Sequence, residues 1–131
     1  MDKLIYLEII GPGKVFFKGN VKYVTIPGEL GEFQVLYNHA SLISTLGFGR
    51  IRIEKENDDI EVFFANKGVV EVKNNKVIIL AEEIVNAKDI DKKDIEIELK
   101  TLEKKLSEKG VDKNAVLNEM EVLRTKLRLS Q

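Results

Sequence analysis

The hydrophobic period of this chain changes once, at Asn86, and that change constrains the fold more than any motif does. Before it, apolar residues recur at every second position in short runs, as strands with one buried face require. Ile5, Leu7 and Ile9 share a face of the run Leu4 to Ile10, which Gly11-Pro12-Gly13 stops. Val15-Phe16-Phe17 opens a second run ending at Lys18-Gly19-Asn20, and Val21 to Ile26 makes a third. After the polar turn Asn57-Asp58-Asp59, Ile60, Val62 and Phe64 alternate; Val70 and Val72 do so beyond Asn66-Lys67-Gly68. Asn74-Asn75 then turns the chain into Lys76-Val77-Ile78-Ile79-Leu80, which is apolar on both faces and reads as a buried strand. Such regularly spaced turn signals predict an antiparallel β-sandwich.

Beyond Asn86 the period is that of a helix. From Asp89 to Lys109 there is no glycine or proline, and Ile95, Leu99, Leu102 and Leu106 recur in steps of four, three and four. Gly110 is placed as a C-cap. Asp112 can cap a second helix, in which Val116, Met120, Leu123 and Leu127 repeat the same steps. Two narrow stripes joined by a short link should lie antiparallel, stripe against stripe. The expected fold is therefore α+β: a β-sandwich domain over 1–86 and a helical hairpin domain over 87–131. The hairpin buries the smaller area and is expected to be the part able to detach and rearrange.

Between Val24 and Ile53 lies the stretch that the rest of the chain presents. It contains the single histidine and several of the glycines. Pro27-Gly28 fits the central positions of a type II turn, because proline presets φ and glycine accepts a positive one. Phe33 and Val35 then share one face of an extended segment, and Arg50, Arg52 and Glu54 alternate with Ile51 and Ile53. The loop Tyr37-Asn38-His39-Ala40-Ser41 separates the two.

Composition removes whole classes of function. The 131 residues carry 21 basic and 22 acidic side chains, a net charge of -1, which argues against nucleic acid as a partner. Without cysteine there is no disulfide, thiol nucleophile or thiolate metal site, and one histidine cannot make a histidine-rich one. The run Leu4 to Ile10 is too short to span a membrane and contains Glu8. His39 lacks the frame of a catalytic base: Ser41 and Ser44 sit in no nucleophile turn, so loop packing or a partner contact is the better reading. Glu29 and Glu32 flank a turn, where a solvated surface is the ordinary expectation. Arg124, Lys126 and Arg128 follow Glu121 with no later acid. They suit either the negative end of the helix dipole or an acidic partner.

Several pieces in this order and spacing, Phe17-x-Gly19, Gly31-Glu32-Phe33, His39-Ala40, Leu46 and Gly49, closely resemble the epsilon subunit of the F-type ATP synthase. The resemblance covers the whole chain, since that family joins a β-sandwich to a helical hairpin. It implies a non-catalytic rotor subunit that links the gamma subunit to the membrane ring, with C-terminal helices that restrain ATP hydrolysis when extended. By position, Glu29, Gly31 and Glu32 would face the polar loops of the ring, and His39 would lie near the gamma and ring contacts. Arg124, Lys126 and Arg128 would meet an acidic segment of the catalytic beta subunit. Two departures stand out. Tyr37-Asn38-His39-Ala40-Ser41 replaces the Pro-Gly-His-Ala-Pro of many members, which loosens that loop. In Ile90-Asp91-Lys92-Lys93-Asp94-Ile95, Asp94 stands where nucleotide-binding members carry an arginine, which argues against ATP binding, and no cofactor is expected. The lack of a signal or transit pattern implies a peripheral protein at the cytoplasmic face of a bacterial inner membrane, or a plastid-encoded homologue at the thylakoid. Two rivals stand beside this reading: a small ligand-binding or hydrolytic sandwich using His39 and Glu32, and a free-standing helical-hairpin adaptor.

Overall fold

The computed structural model describes residues 3–130, so Met1, Asp2 and Gln131, at the outer ends of the two expected domains, lie outside the described residues. Six strands come first: β1 Ile5–Gly11, β2 Lys14–Gly28, β3 Gly31–Val35, β4 Leu42–Lys55, β5 Ile60–Lys73 and β6 Lys76–Asn86. A 3-10 turn, Ala87–Asp89, leads to helices α1 Lys92–Lys105 and α2 Lys113–Leu129. The chain divides into two compact units between Asn86 and Ala87.

The strands lie in the order β1-β6-β5-β4-β2-β3, and β1 also pairs with β2, so the sheet closes on itself. Closure rests on β2 changing partners along its length. Its residues from Lys14 to Val21 pair with β1, and those from Val24 to Gly28 pair with β3. Its other edge meets β4 from Val21 onward. The break expected at Lys18-Gly19-Asn20 is therefore absent: these residues continue the ladder opposite Glu8, Leu7 and Tyr6. The pairings are antiparallel except that of β1 with β6, which is parallel.

One core fills the sheet. Ile5, Leu7 and Ile9 are buried in it, together with Val21, Val24, Ile26, Ile51 and Ile53. Three of the long strands, β4, β5 and β6, reach this core with both of their halves, which a strict period of two cannot do. On β4 the core residues are Leu46, with the partly buried Leu42 packed against the core, then Ile51 and Ile53; on β5 they are Phe63 and Ala65, then Val70 and Val72. On β6 they are Val77, Ile79 and Ala81, then Ile84. Each strand changes face once, and the changes lie side by side, since Gly68 pairs with both Leu46 and Ala81. Lys67, at φ 62°, supplies the non-extended residue on β5. Asn66-Lys67-Gly68 is thus a crease within one strand rather than a turn between two. The alternating Ile60, Val62 and Phe64 lie opposite in phase to the core-facing Phe63 and Ala65; Ile60 is exposed, whereas Phe64 is fully buried outside that core cluster.

Two further expectations are corrected. Pro27 and Gly28 end β2 instead of turning; the turn residues are Glu29 and Leu30, with Gly28 paired to Gly31. A Cβ at Gly28 would lie 2.7 Å from the carbonyl oxygen of Gly31, so this glycine serves close strand approach and not a positive φ. On β6, Val77 and Ile79 are buried but Leu80 is half exposed, so the strand is not covered on both faces.

In the second unit, the side chain of Asp91 accepts from the amides of Lys93 and Asp94 at 3.0 and 3.3 Å, and that of Asp112 from Ala115 at 3.2 Å. Both helices thus start at a carboxylate cap. The first stops at Lys105, well before Gly110, because the amides of Leu106 and Ser107 fold back onto the carbonyls of Glu103 and Lys104. Gly110, at φ 79°, shapes the link instead. Leu102, Val116 and Met120 are buried together, flanked by Leu99, Leu106, Val111 and Leu123. This is the expected stripe-against-stripe seam, except that the outer member of each stripe lies outside the cluster: Ile95, although buried, and Leu127, partly buried.

The crease provides a sharp test. A Cβ on Gly68, at φ 147°, would lie 1.9 Å from the carbonyl oxygen of Leu80, a clash that only backbone movement relieves. Gly68→Ala should destabilise the protein by about 3 kcal/mol or more, measured by urea unfolding, whereas Gly13→Ala, at φ 77° but with open space around it, should cost only the backbone strain of about 1–2 kcal/mol.

Candidate functional site

The acidic turn is built from two strands and held by a third. Glu29 and Leu30 form the two-residue connection from β2 to β3. The amide of Glu29 donates to the carbonyl of Thr45 at 3.1 Å, and the Thr45 hydroxyl donates back to the Glu29 carboxylate at 2.5 Å. Glu32 is gripped by Arg50, whose Nε and Nη2 donate to its two carboxylate oxygens at 3.4 and 3.3 Å. Arg50 shares an open groove with Thr25, Glu32, Phe33, Gln34 and Arg52. Arg52 donates to the hydroxyl of Tyr23 at 2.5 Å, which in turn donates to Glu54 at 3.2 Å. Both carboxylates of the turn are therefore oriented by neighbours. Leu30, between them, is fully exposed, although turn chemistry favours small or polar residues at such a place.

His39 lies beyond the other end of β3. Its amide donates to the carbonyl of Leu36 at 3.1 Å, closing the turn through Tyr37 and Asn38, and Asn38 takes φ 64°. Its Nδ1 is 2.7 Å from the carbonyl of Ala40. A carbonyl only accepts, so this contact puts the hydrogen on Nδ1. Among the described residues no carboxylate orients the ring and neither Ser41 nor Ser44 bonds to it; the Ser44 hydroxyl donates to the carbonyl of Thr45. Glu32 is held by Arg50 and His39 by its own loop, and no hydrogen bond joins the two among the described residues. What the His39 loop does join is the β5–β6 turn: the Asn38 amide donates to Asn75 Oδ1 at 2.6 Å.

That contact brings His39 to the corner of a second surface, the outward side of β1, β6, β5 and β4. Register fixes its layout. One row runs Tyr6, Lys76, Lys73; the next Glu8, Ile78, Glu71, Ile43; the third Ile10, Leu80, Val69, Thr45. Ile43 is 74% exposed, Leu80 49% and Val69 42%, so the apolar part of this face lies open to solvent. Its basic row sets Lys73 directly opposite Lys76, an arrangement unfavourable by itself.

The basic end of α2 lies in the helical unit. At 100° per residue, Arg124 and Arg128 fall on one face and Lys126 on another, so the three are not a single patch. Arg128 is tied to Glu121 at 3.4 Å and to the Thr125 hydroxyl at 3.0 Å. Reading the residues alone missed Leu30, Ile43, Val69 and Leu80. The signals were present: a leucine where a turn wants a polar residue, and a strand whose second apolar face finds no cover.

Comparison with known proteins agrees with this architecture. Residues 4–87 match the family described as ATP synthase, Delta/Epsilon chain, beta-sandwich domain. The chain is 51% identical over 82 residues to an ATP synthase epsilon chain of Sulfurimonas denitrificans, covering 63% of this chain and 62% of that one. It is 37% identical over 95 residues to that of Dichelobacter nodosus, covering 72% and 66%. Each match thus spans just under two thirds of the relative's length. Among solved structures, a chain of the Euglena gracilis mitochondrial ATP synthase, solved as OSCP/F1/c-ring, superposes with TM-score 0.80 at 21% identity, covering 97% of this chain and 79% of that chain. A chain of the Tetrahymena thermophila mitochondrial ATP synthase, solved as central stalk and c-ring, gives 0.63 at 16%, covering 96% of each. At those identities the likeness is one of fold. Sequence match and strand architecture together place this chain in the ATP synthase delta/epsilon family, as a relative of the epsilon chains.

Proposed function

We propose that this chain is the epsilon subunit of an F-type ATP synthase rotor, joining the gamma subunit to the membrane ring without catalysing a reaction itself. The observation that carries this reading is the open apolar surface of Ile43, Val69 and Leu80 on a rigid sheet. Contiguous exposed apolar area on a soluble domain marks a docking surface, and the family supplies gamma as its occupant. His39, at the corner of that surface, belongs to the same contact. The turn with Glu29, Gly31 and Glu32 is a separate outcrop and is assigned to the ring. No helix among the described residues is long and apolar enough to cross a membrane, and the proposed attachment is peripheral, through the ring, at the face of the membrane that carries the catalytic part.

The helical unit is given the regulatory role. Its seam is small, and the Arg128–Glu121 pair at its basic end is exposed, so that pair contributes about 1 kcal/mol at most. Exchange of such contacts for an acidic segment of the catalytic beta subunit is what a population shift requires. Arg124 and Arg128 would act together, with Lys126 reaching a different part of that partner. No nucleotide site is assigned at the start of α1, since Asp91 already occupies the amides there and Asp94 adds negative charge.

Three outcomes are expected. In pull-down with gamma, Leu80→Asp should weaken binding by about tenfold or more and His39→Ala by less, with unchanged thermal unfolding; normal binding by Leu80→Asp would remove the docking face. In the reassembled complex, changing Arg124, Lys126 and Arg128 together to alanine should raise ATP hydrolysis while assembly persists, and full inhibition by that variant would sink the regulatory reading. Calorimetry with ATP on the isolated chain should detect no binding in the range of about 1–100 μM, a Kd that would correspond to roughly 5–8 kcal/mol.

A further inference from the structure

The β2–β3 turn is over-determined for a solvent loop. Glu29 is fastened to Thr45 through both its amide and its carboxylate. Gly28 and Gly31 approach so closely that no side chain fits at Gly28. Gly47 lies against the backbone of the same turn, where a Cβ would be 3.4 Å from both the Glu29 Cα and the Gly28 carbonyl oxygen. On the far side of the turn the guanidinium of Arg50 holds the carboxylate of Glu32. At the tip of this braced structure stands Leu30, fully exposed. Exposing a leucine contributes nothing to folding, while bracing its backbone lowers the ordering cost that binding would otherwise carry.

From these observations we infer that Leu30 is an apolar prong and that Thr45 and Arg50 are positioning residues which aim it. The partner it fits has an apolar notch edged by hydrogen-bond donors or cations, because the prong is flanked by the carboxylates of Glu29 and Glu32. Each of those carboxylates has one neighbour as donor and keeps acceptor capacity toward a partner. The inference rests on the proposed function, which assigns this turn to the membrane ring; it adds that the anchoring contact is apolar and comes from Leu30, with the two glutamates as its polar rim.

The test uses the full chain, purified ring in detergent and the gamma subunit. Leu30→Ser should lower affinity for the ring by about tenfold or more, as expected when a centrally buried leucine contact is lost. It should leave gamma binding and the unfolding temperature unchanged, and Leu30→Met should keep ring affinity within about threefold of the starting protein. Arg50→Gln should lower ring affinity less than Leu30→Ser and make it less sensitive to which apolar residue stands at position 30. Ring binding by Leu30→Ser equal to that of the unaltered chain overturns the prong while leaving the proposed function intact. A loss of stability or of gamma binding in Leu30→Ser also overturns it, since Leu30 would then have an internal role. Failure of the unaltered chain to bind the ring at all defeats the assignment of the turn to the ring, and the prong with it.

Discussion

The carbonyl of Leu80 passes so close to Gly68 that no Cβ can stand between them, and much of the first unit depends on that approach. It sits where β4, β5 and β6 each change the face they offer to the core. A strand with an uninterrupted period of two would aim one of its halves away from the core, because a shift of one residue sends every side chain to the opposite side. By changing face in register, strands of eleven to fourteen residues serve one core from end to end. Closure of the sheet through β2 follows the same economy, since one long strand supplies an edge to β1, β3 and β4.

The outward surfaces are by-products of this arrangement, and the proposed contacts lie on them. Beside the crease, the same ladder that packs Val70, Val77 and Ile79 inward sets Val69, Ile78 and Leu80 outward. Because the backbone positions are fixed by the core, the rows of this face are rigid in spacing: a basic edge, an acidic and apolar middle, an apolar end. The acidic turn is rigid for a different reason. It is tied to β4 by Thr45 and Arg50, so its geometry is set by hydrogen bonds across strands rather than by packing beneath it.

The helical unit contrasts with both. Its buried cluster is three residues with four partly buried ones around them, and each helix starts at a carboxylate cap worth about 1 kcal/mol. A helix pair of this kind depends on tertiary contacts more than on propensity. The regulatory role proposed for this unit asks for an element whose stability is small enough to be traded, and a narrow seam meets that requirement by its size alone.

What the sequence determined by itself was whatever local chemistry decides. The change of period at Asn86, the caps at Asp91 and Asp112, the turn at Asn74-Asn75 and the inward set Ile5, Leu7 and Ile9 are all legible, because each depends on residues within a few positions of one another. The ordered motifs from Phe17 to Gly49 were enough to indicate the family. Tertiary structure alone decided the rest. Lys18-Gly19-Asn20 and Asn66-Lys67-Gly68 read as breaks, yet both lie inside strands, since neighbouring strands supply the hydrogen bonds that local preference would forgo. Pro27-Gly28 read as a turn, yet Gly28 answers to the approach of Gly31. Ile78 and Leu80 read as buried, yet whether a second apolar face is covered depends on what lies across from it, and sequence carries no record of that distance. Leu30 is the plainest case: its exposure follows from a turn that moved by two residues, and only the paired strands fixed where that turn would be.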